Sequence, residues 1–243
     1  MEQKLFPQTT AYKIARKFPS KEAKHRQNVL RAYLDQTDAI LNKKNVSINQ
    51  QKSAIICMIK GLSSGIQSDI NTECITSEDQ NINYYMIDSF PIRSHCTNCY
   101  KQFETIPQTD LDIPVALQSA PIISPIWNKG RMSQAFMFIG ADVDAPFRHQ
   151  ENNHFDLEYI KPLGFFWNGN GLHSTNTGIL KGEGTLKTSY MIDLSDRFKH
   201  FEFDGTFYIH KACNTPVIKP IDYRLGVIFE IGRILEKNSI QLW

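Results

Sequence analysis

The hydrophobic pattern of this chain changes period near residue 80, and that change limits the fold more than any other feature. Before it, "KEAKHRQNVLRAYLDQTDAILNKK" sets Val29, Leu30, Tyr33, Leu34, Ile40 and Leu41 on one stripe with charges opposite, which predicts an amphipathic helix. Ser47 with Gln50 three residues on is a capping-box pattern ahead of a second helical run from Ala54 to Leu62. Gly61, Ser63, Ser64 and Gly65 are expected to weaken or end that helix, and "SDINTECITSEDQNIN" reads as a loop. After the change, "YYMIDSFPI", "QAFMFIGADV", "LEYIKPLGFFW", "TLKTSYMIDL" and "TFYIH" are short aromatic or β-branched runs broken by Pro and Gly. They read as strands, with Asp204-Gly205 a hairpin-turn signal before the last. "YRLGVIFEIGRILEKN" predicts a closing helix, with Leu225, Ile228, Phe229 and Leu235 on one face. The expected class is α+β: a helical region over residues 1–80, then a mixed α/β domain over 81–243 with a short-stranded sheet and a C-terminal helix. A single domain with an N-terminal helical layer is the alternative.

The 243 residues are 41% hydrophobic, enough for a sizeable core, and the net charge of +2 argues against a chain basic throughout and wrapped on nucleic acid. No apolar run approaches the ~20 residues that a membrane span needs. The N-terminus lacks the apolar core of a secretion signal, so no membrane and a cytoplasmic location are expected. Five cysteines are an odd and sparse set, which fits reduced thiols better than a disulfide framework.

The most unusual stretch is "WNGNGLHSTNTGILKGEG", residues 167–184. A strand leads into a Gly-rich turn, a helix-compatible piece follows, then a Gly and another strand. Gly169 and Gly171 can take positive φ and let a ligand approach the backbone. The first N–H groups of the helix would then face an anion. Ser174, Thr175 and Thr177 could add hydroxyl donors, and His173 could bind phosphate or act as general acid or base. The alternative is a plain hairpin turn, because "STNTG" is poor helix material.

The spacing resembles the nucleotide-binding core of the ParB/sulfiredoxin-like superfamily, over residues ~159–194. There a strand runs into Gly-x-(Arg/His)-Arg, a short helix with small residues, a Gly and a further strand. Gly171, Leu172, His173, Ser174, Gly178 and Gly182 fall at the matching places. The resemblance implies a site for nucleotide phosphates at this turn, and some members of that superfamily are nucleases or phosphotransferases. Two departures matter. Ser174 stands where the second basic residue is expected, and Leu172 stands where sulfiredoxins carry their reactive cysteine, so sulfinic-acid repair is not implied. The stretch also looks like a motif of uncharacterised bacterial proteins.

Other constellations carry chemistry too. If "NHFDLEYI" is a strand, His154, Asp156 and Glu158 share one face. With nearby Asp142 and Asp144 they could bind Mg²⁺, Mn²⁺ or Zn²⁺ and assist phosphodiester hydrolysis. The alternatives are a solvated strand face and, for Asp142 and Asp144, turn residues before Pro146. "HCTNC" gives His95, Cys96 and Cys99, half a zinc site that Cys74 or Cys213 could complete. No second C-x-x-C or H-x-x-x-H follows, so zinc at Cys96 and Cys99 is disfavoured and free thiols are expected. The basic segment "KIARKFPSKEAKHR" could touch phosphates or form a solvated helix face.

These observations point to a phosphate-, nucleotide- or nucleic-acid-binding enzyme that hydrolyses or transfers phosphodiesters or nucleotides. His173, His154, Asp156 and Glu158 are the candidate catalytic residues. Gly169, Gly171, Ser174 and Thr175 are the candidate phosphate ligands, with Mg²⁺ or Mn²⁺ as the candidate cofactor. A bacterial toxin or phage-defence effector fits that chemistry and size. The alternative is a non-catalytic module that senses a nucleotide or binds a protein partner, or a second copy of itself, through its N-terminal helices.

Overall fold

A computed structural model describes residues 19–77, 84, 89–108 and 112–243. Two long helices come first, α1 (Lys21–Leu41) and α2 (Ile48–Thr76). Ser20 caps α1, its hydroxyl accepting from the Ala23 N–H at 3.1 Å. The capping box of α2 forms as expected, with Ser47 and Gln50 each accepting from the other's backbone N–H. The second helix does not stop at its glycines but runs to Thr76, through most of the segment expected to be a loop. The reason is packing. Ile55, Ile59, Leu62, Ile66, Ile70 and Cys74 recur at three- and four-residue steps and are all buried. Gly65 serves that packing, since a Cβ there would lie 2.7 Å from an Arg224 guanidinium nitrogen.

Short strands follow: β1 (Arg93–His95), β2 (Gln102–Glu104), β3 (Pro114–Ala116) and β4 (Ile122–Ile123). The expected strand over 84–92 falls partly outside the described residues, and residues 89–92 form a turn. "QAFMFIGADV" is not a strand. Its first half belongs to α3 (Lys129–Phe138), a helix nucleated by Asn128, whose side chain accepts from the Arg131 N–H at 2.9 Å. It buries only Met132 and Ala135, at helical spacing.

"LEYIKPLGFFW" folds as a hairpin of β5 (Leu157–Lys161) and β6 (Phe165–Asn168). The remaining elements are α4 (Leu172–Lys181), β7 (Thr185–Lys187), β8 (Tyr190–Asp193), the one-turn α5 (Arg197–His200), β9 (Phe201–Phe203), β10 (Tyr208–His210), β11 (Thr215–Ile218) and α6 (Tyr223–Lys237). The largest sheet has the order β4-β6-β5-β8, with β4 parallel to β6, β5 antiparallel to β6 and β8 parallel to β5. An antiparallel sheet β11-β10-β9 and the pairs β1-β2 and β3-β7 complete the described strands.

Alternation along the central hairpin feeds two cores. Ile160, Phe165 and Trp167 join the main core with the α2 stripe and with Leu225, Ile228 and Phe229 of α6. Leu157, Tyr159 and Phe166 face a second core with Val115, Leu117, Phe147 and Leu186. The last helix is held to β9 by Glu230, which accepts from the Phe203 N–H at 2.7 Å and pairs with Arg233 at 2.6 Å. The class is α+β, with helices at both ends of the described chain and several small sheets between them.

Candidate functional site

The order strand, Gly turn, helix, Gly, strand is present as β6, residues 169–171, α4, Gly182 and β7. Gly171 is the N-cap of α4 with φ +64, and no side chain caps this end. The N–H groups of the first turn therefore stand without the oxygen that a Ser or Asp cap would offer. The turn is closely packed from outside. A Cβ on Gly171 would lie 2.3 Å from His154 Cδ2, and one on Gly169 would lie 2.1 Å from an Asp156 carboxylate oxygen.

His154 holds this turn in place. The strand begins only at Leu157, so His154 and Asp156 both precede it, and of the three residues expected on one strand face only Glu158 is on the strand. It is 2% exposed. The Gln150 N–H donates to Nδ1 at 2.9 Å, so Nε2 carries the proton and faces Ser174 Oγ at 2.8 Å. The Ser174 hydroxyl in turn donates to the Gly171 carbonyl at 2.9 Å. Burial, with His149 adding to it, pushes the His154 pKa down to about 4. His154 is thus a neutral imidazole with both nitrogens engaged, and Ser174 is committed to the same latch.

His173 is different. Burial holds its pKa below the ordinary value, opposed by a hydrogen bond to the Asn128 backbone and helped by the charge of Arg131. Nε2 is buried and has no hydrogen-bond partner. The bond to Asn128 therefore uses Nδ1 and leaves the Nε2 lone pair unoccupied. The ring meets Trp127 edge-on at 5.5 Å, and the Arg131 guanidinium lies over the same Trp127 at 4.9 Å. Arg131, in the first turn of α3, supplies a cation beside His173 although Ser174 does not. Beside it, Thr175 Oγ1, both amide atoms of Asn176 and Asn168 Oδ1 are also buried without partners. Thr177 is spent within the helix, donating to the His173 carbonyl at 2.8 Å.

Asp156 lies by the same turn, its carbonyl accepting from the Gly169 N–H at 2.7 Å, and Glu158 pairs with Trp167 on the strand that leads into it. Burial raises both carboxyl pKa values, Glu158 to about 7 with the charge of Asp156 adding to the rise. Asp142 and Asp144 are elsewhere, in a 3₁₀ turn where Asp142 pairs with Lys181 at 2.7 Å and Asp144 takes φ +56. Of the basic segment, residues 13–18 lie outside the described residues. Arg26 pairs with Glu22 on α1 and sits 5.6 Å over the Tyr223 ring.

A second candidate site brings together residues far apart in sequence. The ligand atoms of Cys96, Cys99, His210 and Cys213 all lie within 4.8 Å of one another, so the cluster could hold a metal ion. Cys74 is buried in α2 and His95 is exposed on β1, and neither belongs to it. The expectation of free thiols at Cys96 and Cys99 rested on the lack of a second half-site. That half is His210-Lys-Ala-Cys213, an H-x-x-C whose histidine is hidden in the strand-like run "TFYIH". Cys96 Sγ and Cys213 Sγ face each other at 3.3 Å. Burial drives the Cys96 thiol up to about 11. Burial also raises Cys213, but hydrogen bonds from Thr215, Cys96 and His210 outweigh it and bring that thiol to about 6.

Fold and sites together define an α+β protein with a Cys/His cluster suited to a metal ion and a glycine-turn helix start beside a histidine whose Nε2 has no partner. The chain belongs to the family of unknown function DUF6710, whose model matches residues 14–242. No curated protein and no solved structure matches it. Among the described residues, no helix is long and apolar enough to cross a membrane.

Proposed function

We propose that the Gly169–Gly171 turn and the first turn of α4 bind the phosphate of a nucleotide or nucleic acid, with His173 as the acid/base of a hydrolysis or transfer reaction. The observation that carries this reading is the state of His173: Nδ1 is tied to a backbone carbonyl while Nε2 is buried, unpartnered and beside Arg131. A backbone tether on one nitrogen fixes the tautomer and aims the other, as general-base histidines require. The uncapped N–H groups of α4 and its dipole favour an anion. Arg131 adds the cation, and Trp127 beneath it offers a face to a base. Asp156 and Glu158 are the carboxylates that would hold Mg²⁺ or Mn²⁺ beside the turn, and an ion there would favour their ionised forms.

The non-catalytic reading has its own support. His154 and Ser174 are consumed by the latch on Gly171. A turn held this tightly suits a sensor that binds without turnover.

Thermal-shift screening of nucleotides and inorganic phosphate with Mg²⁺ or Mn²⁺, followed by nucleotide and nucleic-acid cleavage assays, tests both readings. A ligand at 100 times its Kd stabilises the fold by about 2.7 kcal/mol, which is readily seen. In the enzyme reading, His173→Ala abolishes turnover while binding survives, and Arg131→Ala weakens binding. Binding without any cleavage leaves the sensor reading. No shift with any nucleotide or with phosphate sinks both.

A further inference from the structure

We propose that Cys96, Cys99, His210 and Cys213 bind one Zn²⁺ ion in a closed tetrahedral site that clips the β1–β2 hairpin to the β9–β10–β11 sheet. The site is separate from the His173 turn and does not depend on its function. The two halves share one construction. Each ligand pair is spaced as ligand-x-x-Cys at the turn of an antiparallel hairpin, Cys96 and Cys99 within the β1–β2 connection, His210 at the end of β10 with Cys213 in the connection to β11. In each, the residue after the second ligand takes a left-handed conformation, Tyr100 at φ +58 and Asn214 at φ +51. A non-glycine residue there is uncommon, and its appearance at matching positions of two unrelated hairpins points to turns shaped to aim ligands inward.

The distances fit an ion. Cys96 Sγ lies 3.3 Å from Cys213 Sγ, and His210 Nδ1 lies 3.0 Å from Cys213 Sγ and 3.5 Å from Cys99 Sγ. Zn–S bonds of about 2.3 Å in a tetrahedron put sulfurs roughly 3.8 Å apart, so small outward shifts seat the ion. A Cys96–Cys213 disulfide would instead need about 2.05 Å. Cys96 is 0% and His210 is 1% exposed. Phe103 packs edge-on against His210 at 5.2 Å and against Phe201 at 4.7 Å, which braces the histidine. Three soft sulfurs and one imidazole in tetrahedral array select Zn²⁺ over oxygen-seeking cations. Four protein ligands leave no open position, so the ion is structural and not catalytic.

Metal analysis of the full chain, purified reduced and without chelator, tests this. The expected content is about one zinc per chain, falling at least about five-fold in Cys96→Ser and Cys213→Ser. His210→Cys should retain zinc, because four thiolates also satisfy the ion, and Cys57→Ser should be unchanged. If the serine variants fail to fold, reduced apo wild type titrated with Co²⁺ decides the matter. Intense visible bands of tetrahedral thiolate-bound cobalt, bleached by one equivalent of Zn²⁺, support the proposal. Less than about 0.2 zinc per chain both as purified and after zinc addition to reduced protein overturns it. A Cys96–Cys213 disulfide in protein kept under reducing conditions does so as well.

Discussion

At Gly171, two constraints act on one atom position. The backbone is left-handed at φ +64, and the space for a Cβ is filled by the His154 ring. Gly171→Ala should therefore cost about 1–3 kcal/mol, read as a lower urea midpoint with an unchanged m-value. Glu158 gives a pH signature. Its folded pKa of about 7 lies above the usual 4.5, so the native state binds the extra proton between those values. Stability from this group is full below pH 4.5 and is lost as pH rises toward 7, by on the order of 3 kcal/mol. His154, pushed down to about 4, works in the opposite sense and costs stability as pH falls from 6.5. The two offset each other in the wild type. Glu158→Gln should unmask the histidine, so that urea midpoints rise from pH 4 to 6.5 and then stay level. A variant profile that still falls toward pH 7 would clear Glu158 of the effect. The glycine turn and the helix start at Gly171 could be read in the sequence because that geometry is local. Arg131 and His210 could not, because each reaches its site through the fold, from a segment whose own pattern says only helix or strand.

Among the elements, local pattern served the amphipathic helices and failed where glycine or a short exposed helix broke the rule. α1 and α6 follow their stripes, and the Ser47–Gln50 box starts α2 as expected. The glycines of α2 look like stop signals, but tertiary packing overrides propensity: Arg224 fills the space beside Gly65 and donates to Asp69 and Asp222. In α3 only Met132 and Ala135 are buried while Met137 at 56% and Phe138 at 69% are exposed, so the apolar stripe was too short to mark a helix. Ile59→Ala, at a position with 0% exposure, should cost about 2–5 kcal/mol, whereas Ile75→Ala, at 55% exposure on the same helix, should cost under about 0.5 kcal/mol by urea unfolding. Glu230→Ala would strand the Phe203 N–H and leave the Arg233 guanidinium without its counter-charge, bonded only to the Phe198 and Phe201 carbonyls. A loss of about 3–5 kcal/mol is expected, and a neutral result would mean that water replaces the carboxylate.

Across the whole molecule, neighbouring side chains of one strand serve different cores: Phe165 faces the α2–α6 side and Phe166 the other, both at 0% exposure. If the sheet couples the two cores, Phe165→Ala and Phe166→Ala should each lower one common unfolding midpoint, by about 3–5 kcal/mol. Circular dichroism and Trp fluorescence traces that separate in either variant would show the cores melting independently. The Cys/His cluster has a consequence in time. Cys99 and His210 stand 111 positions apart. Closing a loop of that length costs about 4 kcal/mol of chain entropy. The four donors can thus meet only once the sheets between them are built, and a single ligand pair is half a coordination sphere. An ion captured there would arrive last and record that assembly is finished. During refolding with Co²⁺ present, colour should develop with the slowest fluorescence phase and lag the initial collapse.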